Sequence, residues 1–92
     1  MKLQKAIATL VSKQEMVKTV FGKEYLKYSI AVNDEYHFIT SFAGTAKYLN
    51  DYAIVGAKLF LDDWEIKKKE IKGKVYYDIT ANRVSVVKNG GK

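Results

Sequence analysis

Cysteine and proline are both absent from the 92 residues, and arginine and histidine occur once each, as Arg83 and His37. Without cysteine there are no disulfides and no thiolate metal sites, so the redox compartment stays open. No apolar run approaches the ~20 residues that a membrane-spanning helix needs. Met1 to Gln14 alternates polar and apolar residues and lacks the hydrophobic block of a secretory signal. The expected address is therefore the cytoplasm. His37 has no cysteine to work with, and no serine or carboxylate pattern around it makes a recognisable triad. Asp62, Asp63 and Glu65 are the nearest thing to a metal cluster. Adjacent aspartates on a strand splay to opposite faces, so they form a poor one. No enzymatic activity, cofactor or metal is expected.

The chain is of a length that makes one domain, with no room for a second core. A domain this short buries only about 60% of the surface its unfolded chain exposes, so modest stability is expected. Apolar residues make up 48% and charged residues 28%, an ordinary globular balance. Sixteen lysines and arginines against ten aspartates and glutamates give a net charge of +6, which favours an anionic partner, nucleic acid first. Nearly all of that positive charge is lysine. Sequence-specific duplex readers lean on bidentate arginine contacts to guanine, whereas lysine is a point charge suited to phosphates. Binding without sequence preference is the expectation.

With no proline, the turns fall to glycine, asparagine and aspartate. The glycines at 22, 44, 56 and 73 separate segments of strand-like alternation. Lys5 to Lys18 reads as one long first strand, with Ala6, Ala8 and Leu10 on one face and Ile7, Thr9 and Val11 on the other. Glu24 to Val32 is a second strand, on which Leu26, Tyr28, Ile30 and Val32 share a face. Asn33-Asp34 is a two-residue turn, and Glu35 to Phe42 is a third strand with apolar residues on both faces. From Thr45 to Tyr52 the period lengthens, with Ala46, Leu49 and Ala53 in step and Thr45 as N-cap, which predicts a short helix. A fourth strand starts at Lys58 and a fifth runs from Lys74 to Val87. The basic stretch Ile66 to Lys74 forms a hairpin between them. Three strands, a helix and two strands is the order of an all-β, five-stranded OB-fold barrel with one short helix between strands 3 and 4, although on pattern alone a small sandwich or α+β sheet would read similarly. The domain is expected to occupy residues 1–88, with residues 89–92 as a flexible tail.

Gly22-Lys23-Glu24-Tyr25-Leu26-Lys27-Tyr28-Ser29-Ile30-Ala31-Val32-Asn33 resembles the second strand of the bacterial and phage single-stranded DNA-binding protein family. Glu35-Tyr36-His37-Phe38-Ile39-Thr40-Ser41-Phe42 resembles that family's third strand. The likeness continues through Tyr48, Tyr52 and Gly56 into Leu59-Phe60-Leu61, and Asp78-Ile79-Thr80-Ala81-Asn82-Arg83-Val84 resembles its closing strand. Three departures stand out. The family's long loop between the second and third strands shrinks to Asn33-Asp34. Glu65 falls where the fourth strand should carry a core residue, which predicts a bulge that lets Ile66 take that place. The family's acidic, phenylalanine-tipped tail, which recruits replication and repair partners, is not in this sequence; a minimal form of phage or plasmid type, or a truncated one, is expected.

Single strands are held by aromatic rings that stack on unpaired bases and by cations that follow the phosphates. Period-two spacing puts Tyr36, Phe38, Thr40 and Phe42 on one face of the third strand and His37, Ile39 and Ser41 on the other. The resemblance implies that the Tyr36, Phe38 and Phe42 face meets DNA, with Phe38 where the family often has a basic residue. Tyr25 and Lys27 lie opposite the core face of the second strand and are candidates to extend this platform. Lys67, Lys68, Lys69, Lys72 and Lys74 decorate the hairpin, where OB folds grip nucleic acid. Trp64 is a further candidate for stacking, or else a packing residue. One of Tyr76 and Tyr77 is expected to face outward, and alternation does not say which contacts DNA. The resemblance places His37 near a subunit interface.

The expected function is therefore a non-sequence-specific single-stranded DNA-binding protein that coats and protects DNA in replication, recombination or repair. A homo-oligomer, dimer or tetramer, is expected from the amphipathic first strand. The alternatives are a primosomal-type OB-fold adaptor, a protein-interaction module whose aromatic face meets a partner, and an RNA binder of cold-shock type.

Overall fold

The computed structural model describes residues 1–90. Its elements are β1 (Ala6–Lys13), β2 (Val17–Lys18), β3 (Glu24–Val32), β4 (Glu35–Phe42), α1 (Ala43–Tyr52), β5 (Lys58–Ile71) and β6 (Lys74–Lys88). The expected long first strand is thus two. A register shift between Leu10 and Ser12 on β1 precedes the break, and only Val17 and Lys18 resume pairing with β3. The strand order is β1-β5-β6-β4-β3-β2, and β1 also pairs with β3, so five strands close into a ring. The second seam is slight: β4 meets β6 in parallel at the single pair Thr40 and Thr80. A closed five-stranded ring with its helix between the third and fourth ring strands is the OB-fold architecture.

Alternation predicts the core well. Ala8 and Leu10 of β1, Leu26, Tyr28 and Ile30 of β3, Ile39 of β4, and Leu59 and Leu61 of β5 are all buried. Ala46 and Leu49 from α1 complete the cluster with Ala53, Ala57, Ala81 and Val84. Each large side chain buried this fully stabilises the fold by about 1.5–3 kcal/mol. One polar pair sits among them. The Tyr28 hydroxyl is 2.7 Å from Ser41 Oγ, and Ser41 donates to the Ala81 carbonyl 2.8 Å away. This chain links β3, β4 and β6 at the weak parallel seam. Burial pushes the Tyr28 phenol up to about 12, against a lowering influence from Ser41.

Both strand-to-strand reversals in the hairpins use two residues in the left-handed region, Asn33 (φ 51°) with Asp34 (φ 68°), and Lys72 (φ 51°) with Gly73 (φ 78°). Their hand matches the twist of the flanking strands. The β3–β4 loop is accordingly as short as expected, with Val32 opposite Glu35.

Four expectations need correction. Thr45 does not cap the helix. The helix starts at Ala43 with Phe42 at the N-cap position and no side-chain cap, and Thr45 Oγ1 donates instead to the Asn82 carbonyl at 2.8 Å, tying α1 to β6. Gly44, read as a turn glycine, is consequently helical. The third concerns the bulge in β5, which lies at Asp62-Asp63, not at Glu65. Trp64, not Ile66, enters the core, at 6% exposure, and its indole N–H donates to the Gln4 carbonyl at 2.7 Å. Trp64 therefore cannot stack on a base. The extra residue turns both aspartates toward cations: Asp62 lies 3.0 Å from Lys5 and 3.5 Å from Arg83, and Asp63 lies 2.6 Å from Lys2. Hydrogen bonding from Lys5, then from Arg83, holds the Asp62 carboxyl below the usual carboxylate range.

The last correction concerns the chain end. Asn89, expected to begin a flexible tail, is fastened: its Oδ1 accepts from the Ile54 amide at 3.0 Å and its Nδ2 donates to the Tyr52 carbonyl at 2.7 Å. Residues 91–92 of that expected tail lie outside the described residues. Lys13 closes the same helix terminus from the other side. Its Nζ donates to the carbonyls of Ala53 (2.6 Å), Asn50 (3.2 Å) and Leu49 (3.4 Å). A cation among orphan carbonyls also complements the negative end of the helix dipole.

Candidate nucleic-acid interface

The register of β3 against β4 decides which side chains share the outer wall of the barrel. Tyr25 stands opposite Phe42, Lys27 opposite Thr40, Ser29 opposite Phe38, and Ala31 opposite Tyr36. Ile39 and Ser41, the alternate residues of β4, are buried at 2% and 0%, so the aromatic set must face outward. Tyr36 is 72% exposed, Phe38 82% and Phe42 46%. Phe42 is the least exposed because the Tyr25 ring leans on it, with centroids 6.1 Å apart and planes tilted by 54°. Lys27 Nζ lies 6.0 Å from the centre of the Tyr25 ring. Alternate residues on a strand are about 7 Å apart, so Tyr36, Phe38 and Phe42 offer three separate flat surfaces in a row.

His37 takes the inner side with Ile39 but sits at the rim, half-buried. Its ring meets Trp64 edge-on at 6.3 Å, and Glu35 is 3.9 Å from its Nε2.

The basic hairpin is less uniform than its sequence. β5 and β6 remain paired to the turn, with Lys67 opposite Asp78, Lys68 opposite Tyr77, Lys69 opposite Tyr76, and Ile71 opposite Lys74. Consecutive residues on a strand face opposite ways. Lys67 and Lys69 thus share a face with Tyr76 and Asp78, while Lys68 and Tyr77 share the other. Lys69 is also matched by Asp78 at 2.8 Å. Lys72 sits in the turn itself and Lys74 just beyond it.

Platform and hairpin meet in an open groove of about 510 Å³. Tyr25, Lys27, Phe38, Thr40 and Phe42 form its barrel side, Lys69, Tyr77, Asp78, Ile79 and Thr80 its hairpin side, and Ser12 and Gln14 come from β1 and the residues after it. The structure therefore brings together five of the residues selected from sequence: Tyr25, Lys27, Phe38, Phe42 and Lys69. Tyr36, Lys67, Lys68, Lys72 and Lys74 lie outside this groove. The groove also selects Tyr77, 63% exposed, from the tyrosine pair that alternation left undecided. Ser12, Gln14 and Thr80 carried no signal in the sequence, because nothing in β1 or β6 alone shows that β1 lies beside β3 and β6 beside β4.

Flat rings, two ammonium groups and flanking hydroxyls in an open trough suit a linear ligand with planar and anionic parts. Among the described residues no cluster of three or more histidines, aspartates or glutamates is placed to hold a metal ion.

No family model and no curated protein matches the sequence. Solved structures do. The mitochondrial single-stranded DNA-binding protein of S. cerevisiae is 20% identical with a TM-score of 0.80, covering 98% of this chain and 98% of that one. The single-stranded DNA-binding protein of Thermus aquaticus is 18% identical with a TM-score of 0.74, covering 95% of this chain but 51% of its own length. A small single-stranded DNA-binding protein from Streptomyces coelicolor is 8% identical with a TM-score of 0.63, covering 94% and 93%. At these identities the likeness establishes the fold, and it bears out at that level the resemblance carried by the strand motifs.

Proposed function

We propose that this protein binds single-stranded DNA without sequence preference, coating and protecting it during replication, recombination or repair. The observation that carries this reading is that Tyr25, Phe38 and Phe42, outward aromatics of β3 and β4, share one groove with Lys27 and Lys69. Exposed rings on a barrel wall cost solvation and contribute little to the core, so their reward lies in a ligand with planar faces. Unpaired bases stack on Tyr25, Phe38, Phe42 and Tyr36, each stack worth about 1–3 kcal/mol whatever the base. Lys27 and the free lysines of the hairpin neutralise phosphates as point charges, which carries no sequence information. Solved proteins of this fold named for single-strand binding support the same reading. So does the net charge of +6. The protein acts as a dimer or tetramer in this proposal, and light scattering that finds a monomer at tens of micromolar overturns that part alone.

Titration of labelled oligo-dT, mixed-sequence RNA of equal length and duplex DNA tests the function. Trp64 is buried, so the label belongs on the nucleic acid. Tight binding of oligo-dT, insensitive to base composition and strongly weakened by salt, is expected, with duplex bound far more weakly. Equal affinity for duplex and single strand removes the stacking platform from the mechanism. Failure to bind any of the three returns the aromatic face to a protein partner.

A further inference from the structure

The two most exposed apolar side chains of the barrel are neither on the platform nor in the hairpin. Val20 is 95% exposed and Phe21 91%, in the turn between β2 and β3. This turn is braced, not loose. The Thr19 amide donates to the Lys23 carbonyl at 2.7 Å, the Gly22 amide to the Thr19 carbonyl at 2.9 Å, and the Lys23 amide to Thr19 Oγ1 at 3.1 Å. Gly22 supplies the left-handed step, φ 83°, that lets the chain return. Ordered backbone thus holds a phenylalanine out into water, at a cost that no contact within the chain offsets. The two residues that follow Phe21 help to line a second hollow of about 290 Å³, formed by Gly22, Lys23, Glu24, Phe42 and Ala43. Phe42 borders both hollows. The two hollows thus adjoin at Phe42, and the second reaches Gly22 and Lys23, next to Phe21 in the turn, with Lys18 and Lys23 exposed.

We infer that Phe21 is a stacking residue for the same single strand, taking a base beyond the one that rests on Phe42, with Lys23 at the intervening phosphate. The inference rests on the single-strand reading above and extends its footprint from the barrel wall to the β2–β3 turn. A ring presented at a rigid tip can meet a base from either side, which suits a strand leaving the groove.

Two variants test it. Phe21→Ala should weaken binding of a long oligo-dT about 5- to 150-fold, the loss of one stack. It should leave binding of an oligonucleotide too short to pass Phe42 unchanged, and leave the melting temperature unchanged because the ring is exposed. Phe21→Trp puts a fluorophore at the tip, and its emission should be quenched by long oligo-dT and not by the short one, over a constant background from buried Trp64. Wild-type affinity in Phe21→Ala together with an unquenched Phe21→Trp overturns the inference while the groove reading stands. Loss of long and short oligonucleotides alike in Phe21→Ala overturns it too, since it assigns the turn a structural role. If the unmodified protein binds no oligo-dT, both readings fall together.

Discussion

β5 and β6 form one continuous ladder whose two halves behave as different materials. In the barrel half, Leu59, Leu61 and Trp64 face Ala81 and Val84, and all are buried. In the outer half every residue from Lys67 to Asp78 is exposed. Backbone pairing runs through both, and its register shifts fall only in the barrel half, so hydrogen bonding does not favour that half. An isolated two-stranded hairpin is marginally stable in water at best. The outer half is held by its Lys72-Gly73 turn and by cross-strand pairs such as Lys69 with Asp78, each worth a few tenths of a kcal/mol to about 1 kcal/mol. The lesson is a division of labour along a single strand pair: the inner half stabilises the fold, and the outer half can change its charge without unfolding anything.

The largest test of this division is Leu61→Ala, which should lower unfolding stability by about 2–5 kcal/mol, the cost of a cavity in a packed core. Lys68→Ala, seven residues on in the same strand, should stay within about 0.5 kcal/mol. Denaturant unfolding of the two variants side by side is the measurement, and comparable losses would erase the distinction.

The outer wall of the barrel should behave as the hairpin does, although its residues alternate with the core. Tyr36→Ala and Phe42→Ala are each expected to lose about 1–3 kcal/mol of single-strand affinity. Melting should be nearly unchanged for Tyr36 and slightly lowered for Phe42, which packs on Tyr25. If Phe42→Ala melts the fold and spares binding, then the wall is structural and any DNA site must lie on the hairpin lysines.

Within the barrel, Ser41→Ala leaves the Tyr28 hydroxyl and the Ala81 carbonyl without their shared partner, at an expected cost of about 1–3 kcal/mol. The same pair gives a pH signature. The folded Tyr28 value of about 12 lies above the ordinary value of 10.0, so folding favours the neutral phenol. That contribution is complete below pH 10 and is lost as the pH rises toward 12. Tyr28→Phe should show a shallower fall in stability across that window than the unmodified protein, and an identical fall would assign the alkaline loss to other groups.

The smallest effect belongs to the hairpin charges. For single strands, log K falls with log salt at about 0.7 per phosphate neutralised. Lys67→Ala should therefore reduce the slope by about 0.7. Lys69→Ala should reduce it less, because Asp78 already lies 2.8 Å from that ammonium. Equal changes from both would mean that the ion pair opens when DNA binds.

Local pattern carried most of the fold. Period-two alternation was sufficient to find β3, β4 and their inner residues, since a half-buried strand has no other way to satisfy both sides. The step to a three-to-four-residue period located α1, and Asn33-Asp34 located a turn that only left-handed residues make comfortably. Alternation grouped Tyr36, Phe38 and Phe42 on one face, but both faces of that strand carry apolar residues, so it was the family resemblance that turned this face outward.

Tertiary structure alone decided the rest. The bulge at Asp62-Asp63 brings both carboxylates to cations distant in the chain, Lys2 and Lys5 ahead of β1 and, for Asp62, Arg83 on β6. That shift sends Trp64 inward and denies it to any base. Thr45, read as the helix cap, instead gives its hydroxyl to the Asn82 carbonyl, a partner 37 residues away. The lysine run looked like one patch, and the ladder register split it between two faces. Selection of Tyr77 over Tyr76 for the groove needed β6 to pass β4 at Thr80 and then diverge. Alternation is a property of neighbours in the chain and can be read from their order. Which strands converge, and what a side chain meets when they do, follows only from closing the barrel.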